Sequence, residues 1–301
     1  VAPDGYDFTE RAVLAVNVAL AAGRPLLVQG EPGSGKSTLA GAVAEAAGWE
    51  LLERVVTSRT QARDLLWTFD AVRRLHDATS GTGVDRLESY IRPEILWRAF
   101  DPVGAREIAA GPDAGQAGGT AVGETTLRGG PPDAAQFESR RAVVLIDEID
   151  KADPDVPNDL LVPLGALEFE VPEIGGRRVR EQRSDRPLIV LTTNGERDLP
   201  AAFLRRCVLL RLDFPDLARL IAIARLHFPG GDQSLHENIA TIALNERLAA
   251  QERGARPPST AEYLDAIRAC SELGMRPGST GWDDLRRMTV SKWETVMEGA
   301  R

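Results

Sequence analysis

The chain has little cysteine, little histidine and few aromatic residues, and each scarcity removes a class of protein. Two cysteines, Cys207 and Cys270, in 301 residues exclude a disulfide framework; both read as buried small hydrophobes suited to a reducing cytoplasm. Three histidines without Cys/His clustering exclude a zinc site. No apolar run is long enough to span a bilayer and the first residues carry no signal-peptide core, so no membrane partner and a cytoplasmic location are expected. Val1 rather than Met opens the sequence, which leaves the natural start open. Positive charge is in deficit: 36 Lys and Arg against 45 Asp and Glu, a formal net charge of −9. A non-specific nucleic-acid binder needs a basic stripe. The Arg-Arg pairs at 140–141, 177–178 and 205–206 are dispersed, so nucleic acid is not an expected partner. What remains, 43% hydrophobic and 27% charged, is a balance usual for soluble chains and long enough for two domains.

The stretch GEPGSGKST, residues 30–38, sits directly after the apolar run PLLVQ. Gly30, Gly35, Lys36 and Ser37 fit the spacing G-x-x-x-x-G-K-[ST], with Gly33 as an additional glycine. A polyphosphate must approach several main-chain N–H groups at once, and side chains bearing a Cβ obstruct it. Lys36 supplies a mobile positive charge for the outer phosphates and Ser37 a hydroxyl for Mg²⁺. The flanks agree. The run bounded by Pro25 and Gly30 reads as a buried strand, and KSTLAGAVAEAA as a helix ending at Gly48. The helix N-terminus then points at the phosphates. Gly30, Glu31, Pro32, Gly33, Ser34, Gly35, Lys36, Ser37 and Thr38 are the candidate nucleotide-binding residues; an ordinary strand-to-helix turn is the bland alternative.

Further strand-like runs follow: LLERVV (51–56), AVVLID (142–147), PLIVLTT (187–193) and CVLLRLDF (207–214). Near-continuous apolar runs suit a parallel sheet covered on both faces, and the helical segments between them make the class α/β. Residues 101–139, rich in Gly, Ala and Pro, read as a long mobile loop. From Asp216 onward the spacing is helical, broken by PGGD, GARPP and GMRPGST. The expected organisation is an α/β domain over 1–214 and a small helical domain over 215–301, without internal repeats.

VVLIDEID (143–150) is an apolar strand ending in Asp147-Glu148. A carboxylate at the C-terminal end of a parallel strand faces the ligand crevice. Asp147 suits Mg²⁺, directly or through water. Glu148 can polarise a water for attack on a γ-phosphate. Asp-Glu alone would be no more than surface acids capping a strand; downstream of a matching phosphate loop it carries chemistry.

The phosphate loop GEPGSGKS, the acidic motif VLIDEID, the strand ending TTN and FLRRC before another strand resemble the AAA+ ATPases, and most of all their MoxR-type branch. The resemblance covers roughly 8–300 and is specific over 25–47, 142–150 and 187–212. It implies a parallel five-stranded sheet flanked by helices, followed by a small all-helical lid, with ATP and Mg²⁺ as cofactors. Asn194, after IVLTT, matches the first sensor, which orients the attacking water or touches the γ-phosphate; an Asn194-Gly195 turn is its alternative. Arg206 matches the arginine finger acting on a neighbouring subunit's nucleotide, with Arg205 as the adjacent candidate. The second sensor departs from the pattern: the late helix starts ARPPSTAEY (255–263), so either Arg256 substitutes or this sensor is absent.

The resemblance also implies an insertion over about 58–100 and a hairpin over about 166–182 around Gly175-Gly176. Trp67, Phe69 and Trp97 read as core aromatics, with contact to a ring's pore as the alternative. By the same resemblance the chain is an ATP-hydrolysing homo-oligomer, a hexameric ring that remodels a client protein in the manner of a chaperone. The resemblance implies that a von Willebrand A domain protein is one candidate client, and it would be a separate polypeptide, since this chain has no D-x-S-x-S run. The alternative is an ATP-dependent assembly switch or scaffold, hydrolysing slowly, in a bacterial signalling or defence system. A DNA-remodelling ATPase is disfavoured by the charge.

Overall fold

The structure is a computed structural model that describes residues 6–80, 86–110, 141–181 and 186–292. In chain order, α1 (Glu10–Ala22), β1 (Leu26–Gly30), α2 (Lys36–Ala47) and β2 (Glu50–Val55) come first. Next are β3 (Trp67–Phe69), α3 (Ala71–Thr79), β4 (Ile91–Pro93), α4 (Ile95–Phe100) and α5 (Pro102–Ala110). β5 (Ala142–Asp147), α6 (Val156–Asp159), α7 (Leu161–Ala166), β6 (Glu168–Val171) and β7 (Arg177–Arg180) follow. β8 (Leu188–Thr193), α8 (Ala201–Leu204) and β9 (Val208–Leu212) complete the strand-bearing part. After it the described residues hold helices only: α9 (Leu217–His227), α10 (Gln233–Glu252), α11 (Thr260–Leu273) and α12 (Trp282–Thr289).

Five strands form one sheet in the order β2-β5-β8-β1-β9. The apolar runs explain it. All six residues of β8 and the first five of β5 are buried, as a sheet covered on both faces requires. β2 pairs β5, β5 pairs β8 and β8 pairs β1, each in parallel. Gln29 lies opposite Thr193, and Val55 opposite Asp147. The C-terminal ends of these four strands therefore share one edge, and loop 30–35 leaves β1 from it.

Of the described residues, one compact unit takes in those of Glu10–Gln29 and Val43–Leu210, the other those of Val1–Thr9, Gly30–Ala42 and Arg211–Arg301. Residues 30–42 thus belong with the C-terminal helices. In the first unit Trp97 is 0% exposed at the centre of a core that includes Leu52, Leu96, Phe100, Ile146 and Phe169. The Phe169 ring stacks on Trp67 at 5.6 Å and meets Trp97 edge-on at 5.8 Å. Trp67 and Trp97 are therefore core residues, and Phe69 is half-buried against them. Trp97→Ala is expected to destabilise this unit by about 3–5 kcal/mol, since it empties a site closed on all sides; a loss below about 1 kcal/mol in urea unfolding would contradict the packing.

β6 and β7 pair antiparallel over 168–171 and 177–180, with Gly175 and Gly176 both in the left-handed region at the turn. A second antiparallel pair, β3 with β4, brackets α3. Residues 102–110 are not loop. The first part of the stretch read as loop is helix α5, with Asp101 accepting from the Gly104 N–H at 2.8 Å and with Ala105 and Ile108 buried. Residues 111–139 of that loop lie outside the described residues. Both cysteines are buried as expected, and burial pushes the Cys207 thiol up to about 12.

In the second unit, Leu220, Ile239, Tyr263, Ile267 and Trp282 form the core of α9–α12. The Tyr263 hydroxyl donates to the Leu220 and His236 carbonyls at 3.2 and 3.3 Å. The sequence caps these helices visibly. Asp216 and Asp232 accept from the first-turn N–H groups of α9 and α10, and Ser259 with Glu262 makes a capping box on α11.

Candidate active site

The loop after β1 has the backbone that phosphate binding needs. Gly33 and Gly35 have φ of +75° and +87°, values that residues with a Cβ rarely adopt. Successive N–H groups in such a turn form a concave donor surface for an anion. The loop runs into the N-terminus of the 12-residue α2, where the helix dipole favours negative charge. Lys36 is 6% exposed, and its ammonium donates to the Gly30 and Glu31 carbonyls at 2.9 Å each. The side chain is thereby folded back over its own loop. Ser37 is half-buried at the first turn of α2, while Pro32 and Thr38 are exposed. The Ser34 hydroxyl is buried with no hydrogen-bond partner, a polar atom that a phosphate oxygen would satisfy. These residues fit a polyphosphate.

At the ends of β5 and β8 lies an acidic cluster. Asp147 accepts from the Thr192 hydroxyl, whose oxygen in turn accepts from the Glu148 N–H at 2.8 Å. Glu148 has φ 60° and ψ 48°, a left-handed conformation unusual outside glycine. One carboxylate oxygen of Glu148 accepts from the Asn194 amide at 3.2 Å, the other from Lys151 at 2.7 Å. That contact holds the Lys151 ammonium above the usual lysine range. Asn194 is itself anchored, because its N–H and that of Glu196 donate to the same oxygen of Asp150, at 3.2 and 3.0 Å. Asp150 is 2% exposed, and its other oxygen has no partner.

The structure thus brings Asp147, Glu148 and Asn194 together and adds Thr192, Lys151 and Asp150, which the sequence reading did not single out. The signal for Asp150 was present in the spacing D-E-x-D. Among the described residues no group of three His, Cys, Asp or Glu side chains stands ready for a metal ion. The Ser37 hydroxyl and the Asp147 carboxylate are each hard oxygen donors of the kind Mg²⁺ accepts.

Arg205 and Arg206 follow α8 and are exposed. The Arg24 guanidinium donates to the Arg205 carbonyl at 3.4 Å, which fastens the turn. Arg206 lines a cavity of about 260 Å³ together with Arg24, Arg186, Leu161, Leu164 and Phe203. Arg256 is 68% exposed and stands 3.7 Å from Glu262 at the head of α11. A different arginine, Arg247 of α10, reaches the loop after β1: it binds Glu31 at 2.7 Å.

A family model described as an AAA domain of the dynein-related subfamily matches residues 25–207, from the first residue before β1 to the last before β9. No curated protein matches the chain.

Proposed function

The chain belongs to the AAA domain family, dynein-related subfamily, and from that membership we propose that it binds ATP·Mg²⁺ through residues 30–38 and hydrolyses it as a ring of identical subunits acting on a partner protein. The observation that carries this reading is the 3.2 Å contact between Asn194 and Glu148, at strand ends on the same sheet edge from which the phosphate loop departs. A nucleotide-binding module without turnover needs no second carboxylate there, and no amide to orient it.

Lys36 and the loop N–H groups hold the outer phosphates, and Ser37 and Asp147 hold the metal. Bound Mg²⁺ supplies charge neutralisation on the phosphate oxygens. Glu148 accepts the proton of the attacking water, and Asn194 sets the carboxylate's direction. Arg206, with Arg205 as the neighbouring candidate, serves a nucleotide held by an adjacent subunit. Exposure of both side chains supports that role.

We assign the chain to the MoxR-type branch, with a hexameric ring and a chaperone-like action on a client carrying a von Willebrand A domain. The paired β3–β4 insertion after β2 and the β6–β7 hairpin before β8 support that assignment. A second reading, a slow ATP-dependent assembly switch, draws on the 2.7 Å Lys151–Glu148 ion pair, which occupies the carboxylate oxygen that Asn194 does not. Stimulation of turnover by a partner separates the two.

Light scattering after size exclusion, with phosphate release on the same samples, tests the shared site. Arg206→Ala is expected to bind ATP normally and to release phosphate about a thousandfold more slowly than wild type. Wild-type turnover by this variant, or a wild type that stays monomeric and fully active, would remove the trans arginine from the account.

A further inference from the structure

Glu31 is an acid inside a loop built for a polyanion. A carboxylate there repels the phosphates unless a cation neutralises it. The cation comes from position 247. Arg247 Nη2 binds Glu31 Oε1 at 2.7 Å, between residues 216 positions apart in the sequence. The Arg247 side chain is 11% exposed and held from three directions. Its guanidinium lies 4.2 Å from the centre of the Phe214 ring, and Nη1 donates to the Pro258 carbonyl at 3.4 Å, just ahead of α11. Arg247 accordingly has little freedom to leave, whereas Glu31 does. The hydrogen bond from Arg247 holds the Glu31 carboxyl below the usual carboxylate range, with Arg211 and Lys36 adding to the effect against desolvation.

The helices touch the loop a second time two residues later. A Cβ on Gly33 would meet Ser259 Cβ at 2.7 Å and Ala261 Cβ at 3.5 Å, so the start of α11 rests directly on the loop. Residues 31 and 33 thus both bear on the helical segment, while Lys36 closes the loop from its other end through the Gly30 and Glu31 carbonyls.

We propose that Arg247 is a positioning residue for the phosphate loop: by neutralising Glu31 and holding its carboxylate away from the cradle, it keeps the loop fit for a polyanion. The inference rests on the ATP-binding reading above. It adds that a residue of α10 sets the charge of the loop through an ion pair with the loop itself.

The test is a double-substitution cycle read by titration with a fluorescent ATP analogue and Mg²⁺, on the full chain. In the wild-type background Arg247→Gln is expected to weaken binding about tenfold or more, because it leaves a charged partner without its hydrogen bond. In the Glu31→Gln background the same substitution is expected to change binding by less than about twofold, since the charge to be neutralised is gone. Arg247→Lys, which keeps the charge, is expected to fall between. Equal losses in both backgrounds would mean that Arg247 only packs against Phe214 and Pro258, and would overturn the proposal. So would an unchanged affinity in Arg247→Gln. A wild type that binds no nucleotide would sink the ATP reading itself, a result distinct from either.

Discussion

Glu148→Gln is expected to bind ATP as the wild type does and to release phosphate at least about a hundredfold more slowly. The substitution keeps the shape of the side chain and its left-handed backbone. The Glu148 N–H still reaches Thr192 Oγ1, and an amide oxygen can still accept from Asn194. What disappears is a group able to take a proton from water. The Lys151 contact also loses its charge, which frees the lysine without removing anything the nucleotide touches. Because binding survives while turnover does not, the variant should accumulate in its ATP-bound assembled form. Larger particles by light scattering in ATP·Mg²⁺, with no phosphate released, is the expected pair of results. Turnover within about fivefold of wild type would take Glu148 out of the chemistry.

Lys36→Met is expected to lower ATP affinity about a hundredfold. Lys36 is the one lysine of the loop, and its ammonium already sits inside it, 2.9 Å from each of two carbonyls. A phosphate oxygen competes for that ammonium with neutral acceptors, and a charge-assisted bond to an anion is the stronger of the two. Methionine keeps the bulk of the aliphatic stem and removes the charge together with the two bonds to the Gly30 and Glu31 carbonyls. Fluorescent-nucleotide titration checks the affinity, and unfolding without nucleotide checks that the fold is intact. An affinity within about threefold of wild type would mean the phosphates are held elsewhere.

How much of this was legible in the sequence depended on distance along the chain. The buried strands announced themselves because a covered parallel strand must be apolar nearly throughout, as 142–147 and 188–193 are. The turn at 30–38 was legible because its glycines serve the loop's own backbone, within nine residues. The α5 helix was missed because its stretch is rich in Gly and Ala. Its signal was an Asp-Pro start with two buried residues three apart, short enough to be lost beside 111–139. Asp150 was passed over although it lies two residues beyond Glu148. Its importance comes from the N–H groups of Asn194 and Glu196, which only folding brings to it. Arg247 was invisible for the same reason on a larger scale. Local pattern pointed to Arg256 at the head of α11, while tertiary packing gives Glu31 to an arginine in the middle of α10 and leaves Arg256 beside Glu262.

ATP binding at loop 30–38 and its hydrolysis stand or fall on one experiment: calorimetric titration of the wild-type chain and Lys36→Met with ATP·Mg²⁺, with phosphate release followed on the same samples. Saturable binding and steady phosphate release by the wild type, both lost together in Lys36→Met, are the expected results. A wild type that shows neither heat of binding nor phosphate release up to about 1 mM ATP, or a Lys36→Met variant that matches it in both, would contradict the claim.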